Sequence, residues 1–372
     1  MKIIHIVLGR ANPNRMNGVN RVVHNLATAQ TSKGIDVTVW GITASANLAN
    51  DELNRSYKTK WFLPSNWSFG VTSKLKRAIK LEKKTVFHLH GGFIPVFYSL
   101  SRIFKSAGIS HFLTPHGTYT SGAMQGNGLM KKWYFYFLEK KLISRLNAVQ
   151  CLGHCEASDL KKLSIETKIS IIPNGQNWNE LKTKLKPYPT NEFIIGYCGR
   201  ISKYQKGMDI LMEAFGIYKT KLNGKGKLHL VGDGDYSDEM KKEVYNMNLI
   251  NEVTFHGSKF GGAKINLIKS MTVFVHTSRN EGLPTAVIEA LALGVPCLVT
   301  KMTSMDRYVE KYKAGWALPS LDPKEVAQYF MISEKAHETD ELKILGDNAK
   351  KLALEAFDWD IIAEQTFDMY AA

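Results

Sequence analysis

Two carboxylates eight positions apart bracket a turn rich in glycine and proline. Glu281 comes directly before Gly282-Leu283-Pro284-Thr285, and Glu289 lies inside the otherwise apolar run 286–295. Proline is typical of the first turn of a helix, so the sequence predicts a helix that begins at Pro284 and leaves free backbone N–H groups, which bind anions. A carboxylate beside them could accept hydrogen bonds from ligand hydroxyls. Alternatively, Glu281 only favours the helix dipole and Glu289 faces water.

A second cluster places two cations around one loop. Gly199-Arg200 follows the strand-like stretch 193–198, and Lys206-Gly207 closes the loop before a helix-like stretch. Arginine binds phosphate oxygens through a bidentate fork, and lysine acts as a point charge. The spacing therefore fits a loop that grips a diphosphate, and a solvated basic surface loop is the alternative.

The first half of the chain offers one glycine loop and three histidines near strand ends. Gly18 stands where the strand-like stretch 2–8 leads into a helix, so a phosphate could approach the backbone closely there. The pattern is not the Gly-x-Gly-x-x-Gly dinucleotide fingerprint. His116 follows another strand beside a glycine, and we expect it to contact a ligand. His88 and His90 alternate along a strand and could line a site or satisfy buried neighbours.

These residues follow strands because the chain alternates strand-like and helix-like stretches on both sides of a polar linker at 182–190. The predicted strands are 2–8, 36–41, 85–90, 110–114, 147–152 and 168–172 before the linker, and 193–198, 227–231, 253–255, 273–276 and 296–300 after it. The alternation predicts two doubly wound α/β domains with parallel sheets, which bind ligands at the carboxyl ends of their strands.

The composition is that of a soluble globular protein. Hydrophobic residues make up 44% of the 372 positions and charged residues 22%, which excludes disorder as the main state. No apolar stretch reaches the ~18 residues of a membrane-spanning helix, and the first apolar run is too short for a secretory signal, so we expect a cytoplasmic protein. The four cysteines form no Cys-x-x-Cys pair, which favours free buried thiols over a metal site.

The net charge of +15 lies entirely in the first half. Residues 1–180 carry 24 Lys and Arg against 9 Asp and Glu, whereas residues 181–372 carry 25 of each. This asymmetry indicates an acidic partner, which could be nucleic acid, an anionic membrane or a phosphorylated ligand. The stretches 74–84 and 131–141 are basic, and the second is aromatic between its lysines. They predict peripheral attachment to the inner face of the plasma membrane, with ordinary core aromatics and surface lysines as the alternative.

Taken together, these motifs resemble the family 4 retaining glycosyltransferases of the GT-B fold over nearly the whole chain. The most specific part is the Glu-x7-Glu motif from Glu281 to Glu289. The spacing of Arg200 and Lys206 matches the diphosphate-binding pair of that family. The turn Pro115-His116-Gly117 and the stretch Ile172-Pro173-Asn174-Gly175 are also similar.

The resemblance implies a domain layout. Residues 1–185 would form a Rossmann-like acceptor domain and residues 190–357 a Rossmann-like donor domain, with the two sheets facing across a cleft. The helix 358–372 would cross back to the first domain. Two departures concern recognition: Gly18 is single where many members have two adjacent glycines, and Ser258-Lys259 replaces a more apolar pattern, which leaves nucleobase recognition open.

The resemblance also implies a reaction. A hexose or N-acetylhexosamine would pass from a nucleotide-diphosphate sugar (UDP-sugar first, GDP-mannose second) to a glycan acceptor, possibly linked to polyprenyl pyrophosphate. The anomeric configuration would be retained, and neither a metal ion nor another cofactor would be required. The product would belong to a bacterial surface polysaccharide such as O-antigen.

Site roles are implied residue by residue. Arg200 and Lys206 would neutralise the departing diphosphate. Glu281 would bind sugar hydroxyls, and Glu289 would accept hydrogen bonds from the ribose. His116 would orient the sugar or share charge from the opposite domain. The other implied contacts with the nucleotide sugar are Gly18, Gly199, Gly282, Leu283, Pro284 and Thr285.

Other functions stay open at this point. A GT-B sugar-nucleotide epimerase or a soluble small-molecule glycosyltransferase would share most of these motifs. A phosphorylase would need a pyridoxal-binding lysine, and the sequence does not identify one. Charge alone would fit a nucleic-acid-binding or membrane-binding module without catalysis, yet the second half is neutral.

Overall fold

The computed structural model describes residues 1–12, 18–44, 54–125, 128–176, 192–339 and 341–372. The chain divides into two compact units. The first consists of Met1–Gly175 with Trp359–Ala372, and the second of Gln176–Asp358. The expected linker at 182–190, and with it the domain limits 185 and 190, lies outside the described residues.

The first unit is built on a parallel seven-stranded sheet, formed where apolar β-branched runs alternate with helices. Its strands are β1 (Lys2–Leu8), β2 (Asp36–Ile42), β3 (Lys58–Phe62), β4 (Thr85–His90), β5 (His111–Thr114), β6 (Ala148–Cys151) and β7 (Ile169–Ile171). Their order is β3-β2-β1-β4-β5-β6-β7, so the order reverses between β1 and β4.

Helices cover this sheet. They are α1 (Gly18–Ser32), α2 (Ser73–Leu81), α3 (Pro95–Ser106), α4 (Ser121–Gln125), α5 (Gly128–Tyr134), a π-helical turn (Phe135–Glu139), α6 (Lys140–Ile143) and α7 (His154–Lys162). The C-terminal helix Trp359–Ala371 packs on α1 in this unit. Its Ile362 and Tyr370 share an apolar cluster with Ile3 and Phe112 of the sheet, which buries one face of the helix and fixes it there.

The second unit has a parallel six-stranded sheet of the same kind. Its strands are β8 (Ile194–Cys198), β9 (Lys227–Val231), β10 (Val253–Gly257), β11 (Val273–His276), β12 (Cys297–Thr300) and β13 (Gly315–Leu318). Its helices are α8 (Met208–Thr220), α9 (Ser237–Asn246), α10 (Gly261–Lys269), α11 (Thr285–Ala292), a 3-10 turn (Lys301–Thr303), α12 (Asp306–Tyr312), α13 (Pro323–Glu338) and α14 (Glu341–Ala356); the C-terminal helix of the first unit is α15. The strand order β10-β9-β8-β11-β12-β13 reverses between β8 and β11.

The prediction of two doubly wound parallel α/β domains is confirmed. Two strands were missed, β3 and β13, and each lies at the edge of its sheet. Edge strands are half solvated, so β3 carries exposed Lys58 and Lys60 instead of a continuous apolar run. Within the described residues, every helix is too short or too polar to cross a bilayer.

Doubly wound sheets bind ligands beyond the strand ends where the strand order reverses. In the second unit, this point brings together the loops after β8 and β11. In the first unit, it brings together the ends of β1 and β4, with β5 as the next strand. These are the loops that carry most of the residues singled out in the sequence.

Candidate active site

Two loops of the second unit are tied together after β8 and β11. The Arg279 guanidinium binds the Asp209 carboxylate through hydrogen bonds of 2.7 and 2.8 Å and donates another, of 3.0 Å, to the Tyr204 carbonyl. The Arg279 backbone N–H donates to the Gln205 carbonyl at 3.1 Å. The bidentate pair fixes one loop against the other. Sequence reasoning gave Arg279 and Asp209 no role, because nothing local indicates that they meet.

Gly207 makes the closest approach between these loops. Its φ is 63°, and a Cβ there would lie 2.1 Å from the Thr277 carbonyl oxygen. The Thr277 hydroxyl donates to the Gly207 carbonyl at 2.9 Å. Only glycine fits this backbone conformation and this contact without strain. The preceding residue, Lys206, is thereby held beside the loop after β11.

Lys206 and Glu281 form an ion pair at the meeting of the two loops. Lys206 Nζ donates to Glu281 Oε2 at 2.6 Å, and their side chains are only 16% and 15% exposed. Two residues assigned separate roles from the sequence therefore meet directly. Beneath them, burial and the Lys206 charge lower the pKa of His276 to about 3. Burial and the Glu281 charge raise the pKa of Tyr197.

Arg200 is not part of this ion pair. Its side chain is 65% exposed, and its guanidinium lies 3.6 Å from an Asp235 carboxylate oxygen. Its carbonyl accepts a 2.9 Å hydrogen bond from the Tyr197 hydroxyl, so the backbone is fixed while the guanidinium stays in solvent. The nearby Asp233 carboxylate accepts from the Gly234 N–H and the Ser237 hydroxyl and closes the turn before α9.

Buried Glu289 forms an ion pair with a lysine. Lys264 Nζ, from α10, lies 2.7 Å from both carboxylate oxygens of Glu289, which is 6% exposed. The glutamate in an apolar run indicated that a cation was needed, since an unpaired buried carboxylate is costly. The sequence did not indicate which lysine supplies it.

The expected free helix start is present one residue later than predicted. Pro284 is the N-cap, with extended backbone, and α11 begins at Thr285. Within the described part of the chain, no acceptor takes the N–H groups of Gly282, Leu283, Thr285 or Ala286. Leu283 is buried and anchors the turn. The N–H groups at this helix start therefore remain available to an anion.

His116 lies after β5 in the first unit, half-buried, with a φ of 54°. Its Nε2 lies 3.2 Å from Nδ1 of His90. The carboxylate of buried Glu156 holds the turn by accepting from the Gly117 and Leu152 N–H groups at 2.6 and 2.8 Å. Burial lowers the pKa of His116 to about 4, so the imidazole is neutral at neutral pH. A neutral ring can orient a hydroxyl.

Gly18 is the first residue of α1, and residues 13–17 of its loop lie outside the described part of the chain. Among the described residues, none lies within 4 Å of a Cβ placed at Gly18.

Comparisons with known proteins cover both units. The model described as Glycosyltransferase Family 4 matches residues 16–177, and the model described as Glycosyl transferases group 1 matches residues 179–352. The UDP-Gal:alpha-D-GlcNAc-diphosphoundecaprenol alpha-1,3-galactosyltransferase of Escherichia coli is 24% identical over 311 residues, which is 80% of this chain and 77% of that protein. The capsular polysaccharide biosynthesis glycosyltransferase CapM of Staphylococcus aureus is 30% identical over 261 residues, 64% of this chain and 65% of its own length.

The matches do not all span the relatives. A Methanocaldococcus jannaschii glycosyltransferase, itself uncharacterized, is matched over 54% of its length. Among solved structures, the Anabaena protein HepE in complex with UDP superposes with a TM-score of 0.74 at 17% identity, covering 100% of both chains. That likeness shows the fold. With both sheets, both family models and these relatives in agreement, the chain belongs to the family 4-type glycosyltransferases and has the GT-B fold.

Proposed function

We propose that this glycosyltransferase moves a hexose or N-acetylhexosamine from a nucleotide-diphosphate sugar to a glycan acceptor, with retention of anomeric configuration. The observation that carries the proposal is the Lys206–Glu281 pair beside the free start of α11. A cation and unpaired N–H groups in one place suit a diphosphate, and the adjoining carboxylate suits sugar hydroxyls.

Bond cleavage places negative charge on the departing diphosphate. Fixed donors aimed at that charge stabilise the transition state more than the ground state. Lys206 and the N–H groups of Gly282 and Leu283 are the donors we assign to it. Arg200 joins them by turning its exposed guanidinium away from Asp235. These cations take the role that a divalent ion has in other transferases, so we propose that no metal is required.

Carboxylates bind the hydroxyls of the donor. Glu281 accepts from the sugar while it holds Lys206, and Glu289 accepts from the ribose while it stays neutralised by Lys264. The departing phosphate takes the proton of the acceptor hydroxyl, so no side chain acts as general base. In the first unit, His116 contacts a hydroxyl of the sugar, and the backbone at Gly18 contacts a phosphate.

UDP-sugar is the donor we favour, and GDP-mannose comes second. The Escherichia coli relative is named for UDP-Gal, and the Anabaena structure holds UDP. Those proteins support the choice of base by analogy only. One relative is named for the acceptor GlcNAc-diphosphoundecaprenol and another for capsular polysaccharide biosynthesis. By analogy, we propose a lipid-linked acceptor in surface polysaccharide synthesis.

An exposed aromatic surface supports membrane attachment. It comprises the outward residues of α5 and the following turn, Leu129, Met130, Trp133, Tyr136 and Phe137, which are between 54% and 83% exposed. The rings of Trp133 and Phe137 stack at 5.1 Å. Lysines 131, 132, 140 and 141 flank this surface. Apolar rings bordered by lysines suit the headgroup region of an anionic bilayer.

Thermal-shift measurements with UDP-, GDP- and ADP-sugars, with and without EDTA, test the donor and the metal. A ligand that binds only the native protein raises Tm. We expect a UDP-sugar to raise it by several degrees in either condition. A rise in Tm that occurs only without EDTA would contradict the proposal that no metal is required. A rise that occurs only with a GDP- or ADP-sugar would contradict UDP-sugar as the donor. The anomeric configuration of the product, read by NMR, tests retention.

A further inference from the structure

Buried side chains of the first unit form two runs of hydrogen bonds, one of which ends at His116. The first run joins the Ile172 carbonyl, Gln150, Thr114, His88 and Tyr370. The second run joins Gln30, His5, His90 and His116. Each of these side chains except His116 is buried. The second run therefore leads from a buried amide to the candidate site.

The backbone carbonyl sets the direction of the first contacts. Gln150 Nε2 lies 3.1 Å from the Ile172 oxygen, which can only accept, so the Gln150 amide oxygen faces Thr114. The Thr114 hydroxyl then donates to that oxygen at 3.0 Å. Its oxygen accepts from Nε2 of His88 at 2.7 Å. His88 therefore carries its proton on Nε2.

The direction continues to Tyr370. Neutral His88 presents the Nδ1 lone pair, which accepts from the Tyr370 hydroxyl at 2.6 Å. The first run ends there. Gln30 begins the second run, and its amide nitrogen has no hydrogen-bond partner among the described residues.

In the second run, the Gln30 amide oxygen, which can only accept, sets the direction of three contacts that lead to the site. The Gln30 amide oxygen lies 2.7 Å from Nε2 of His5, which donates to it. Nδ1 of His5 then accepts from Nε2 of His90 at 2.9 Å, and Nδ1 of His90 accepts from Nε2 of His116 at 3.2 Å. Burial lowers the pKa of His5 and His116 to about 4 and that of His90 well below its usual value. Each ring therefore holds one proton.

Three of the buried histidines also lie close enough together to suggest a metal site. Ring nitrogens of His5, His88 and His90 lie within 4.8 Å of one another. Both nitrogens of each ring, however, already have a hydrogen-bond partner. A metal ion would break the contacts that satisfy these buried groups, so hydrogen bonding is the better assignment.

We propose that the second run fixes the tautomer of His116: the proton is on Nε2, and Nδ1 accepts a hydrogen bond from a sugar hydroxyl. Gln30, His5 and His90 are the positioning residues. Within the described residues, no hydrogen bond reaches Nδ1 of His116. The positive φ of His116 shows that the turn holds its backbone in a conformation that residues other than glycine rarely adopt. The hydroxyl contact rests on the proposed function, whereas the tautomer does not.

Histidine ring NMR tests the tautomer on the full chain without any sugar nucleotide. In 15N-labelled protein at neutral pH, we expect the His116 pattern of a protonated Nε2 and a bare Nδ1; a His116→Asn sample identifies the signal. A protonated Nδ1, an equal mixture or a charged ring would overturn the proposal. If the tautomer is as expected but no sugar nucleotide is turned over, only the proposed function fails.

Gln30→Met removes the oxygen that accepts from Nε2 of His5, at the buried end of the run that leads to His116. The Nε2–H of His5 would then be buried without a partner, so the run should reverse and move the proton of His116 to Nδ1. We expect kcat/KM to fall roughly 3- to 10-fold, mostly through KM, as for one lost hydrogen bond. His111→Gln is the matched control, because His111 is buried in the same sheet, its ring bonds to the Ile109 carbonyl, and its backbone N–H donates to the Asn147 side chain.

The two variants separate positioning from stability. The control should lose stability without changing the His116 signal or KM. An unchanged His116 tautomer in folded Gln30→Met, or equal effects of both variants on KM, would contradict the proposal. Should Gln30→Met fail to fold, the wild-type spectrum alone still decides which nitrogen carries the proton.

Discussion

Lys206 Nζ lies 2.6 Å from Glu281 Oε2, although 75 positions separate the two residues in the chain. The contact exists because Gly207 packs directly on Thr277 and Arg279 clamps the loop after β8. The ion pair is only slightly exposed, so its geometry is set by the fold. A lysine held by a carboxylate beside a free helix start is ready to exchange part of that contact for a phosphate.

Lys206→Ala and Glu281→Ala should each lower kcat by about 100-fold or more, because one loses a donor to the leaving group and the other loses sugar contacts. Both should keep the wild-type circular dichroism spectrum. Lys203→Ala is the control, since Lys203 is half exposed and pairs with Glu239. Turnover that stays within a few-fold of wild type in either variant would remove that residue from its assigned role.

Lys264→Met should destabilise the second unit by about 3 kcal/mol, because it leaves the buried Glu289 carboxylate without its cation. Urea unfolding monitored by fluorescence measures the change. Replacing both partners, as Lys264→Met with Glu289→Leu, should recover much of the stability but not nucleotide binding. If the single and double variants are equally stable, the pair does not compensate the burial of Glu289.

Gly207→Ala and Gly18→Ala form a matched pair of glycine substitutions. Alanine at 207 meets the Thr277 carbonyl at a strained φ, so we expect a loss of roughly 2 kcal/mol or more. Alanine at 18 meets none of the described residues within 4 Å, so Tm should not fall. If a phosphate approaches Gly18, the second variant should instead raise KM for the donor. A fall in Tm in Gly18→Ala would show that packing requires this glycine.

Acid should weaken the fold through its buried histidines. Burial lowers the pKa of His5 to about 4 and of His276 to about 3, whereas an unfolded histidine titrates near ~6.5. The unfolded chain binds more protons between these values. This stability is therefore complete above about pH 6.5 and is lost as the pH falls through the folded pKa values.

Glu156 has the opposite dependence. Burial raises its pKa to about 7, so its contribution is complete below the unfolded value and is lost as the pH rises through 7. As the pH falls, the contribution of Glu156 to stability is regained and offsets part of the loss caused by the histidines. Glu156→Gln removes this gain. The variant should therefore lose more stability than wild type between pH 7 and pH 5, by roughly 2 kcal/mol. Urea titrations at both pH values measure this, and parallel losses would contradict the assignment.

The aromatic surface should direct the protein to anionic vesicles. Wild type should float with liposomes that contain anionic lipid and should float poorly with neutral ones. Trp133→Ser with Phe137→Ser should abolish flotation. Ile344→Ser, at an exposed isoleucine of α14, is the control and should float as wild type does. Failure of wild type to float with either lipid would discard membrane attachment.

The sequence alone determined the class of fold and the loops of the site. Apolar β-branched runs, glycines and prolines act over a few residues, so they predicted the buried strands and the turn around Pro284. They failed at β3, an edge strand that carries exposed lysines in place of an apolar run, and at β13, which has only four residues and begins at a glycine.

Only the tertiary structure decided which side chains meet. Glu289 needed a cation, but the register of α10 beside α11 selected Lys264. His88 and His90 could not be classified along the strand, since their partners come from β1, β5, the turn after β5 and the C-terminal helix. Hydrogen bonds and ion pairs act over about 3 Å, and the packing of elements far apart in the chain brings those groups within that range.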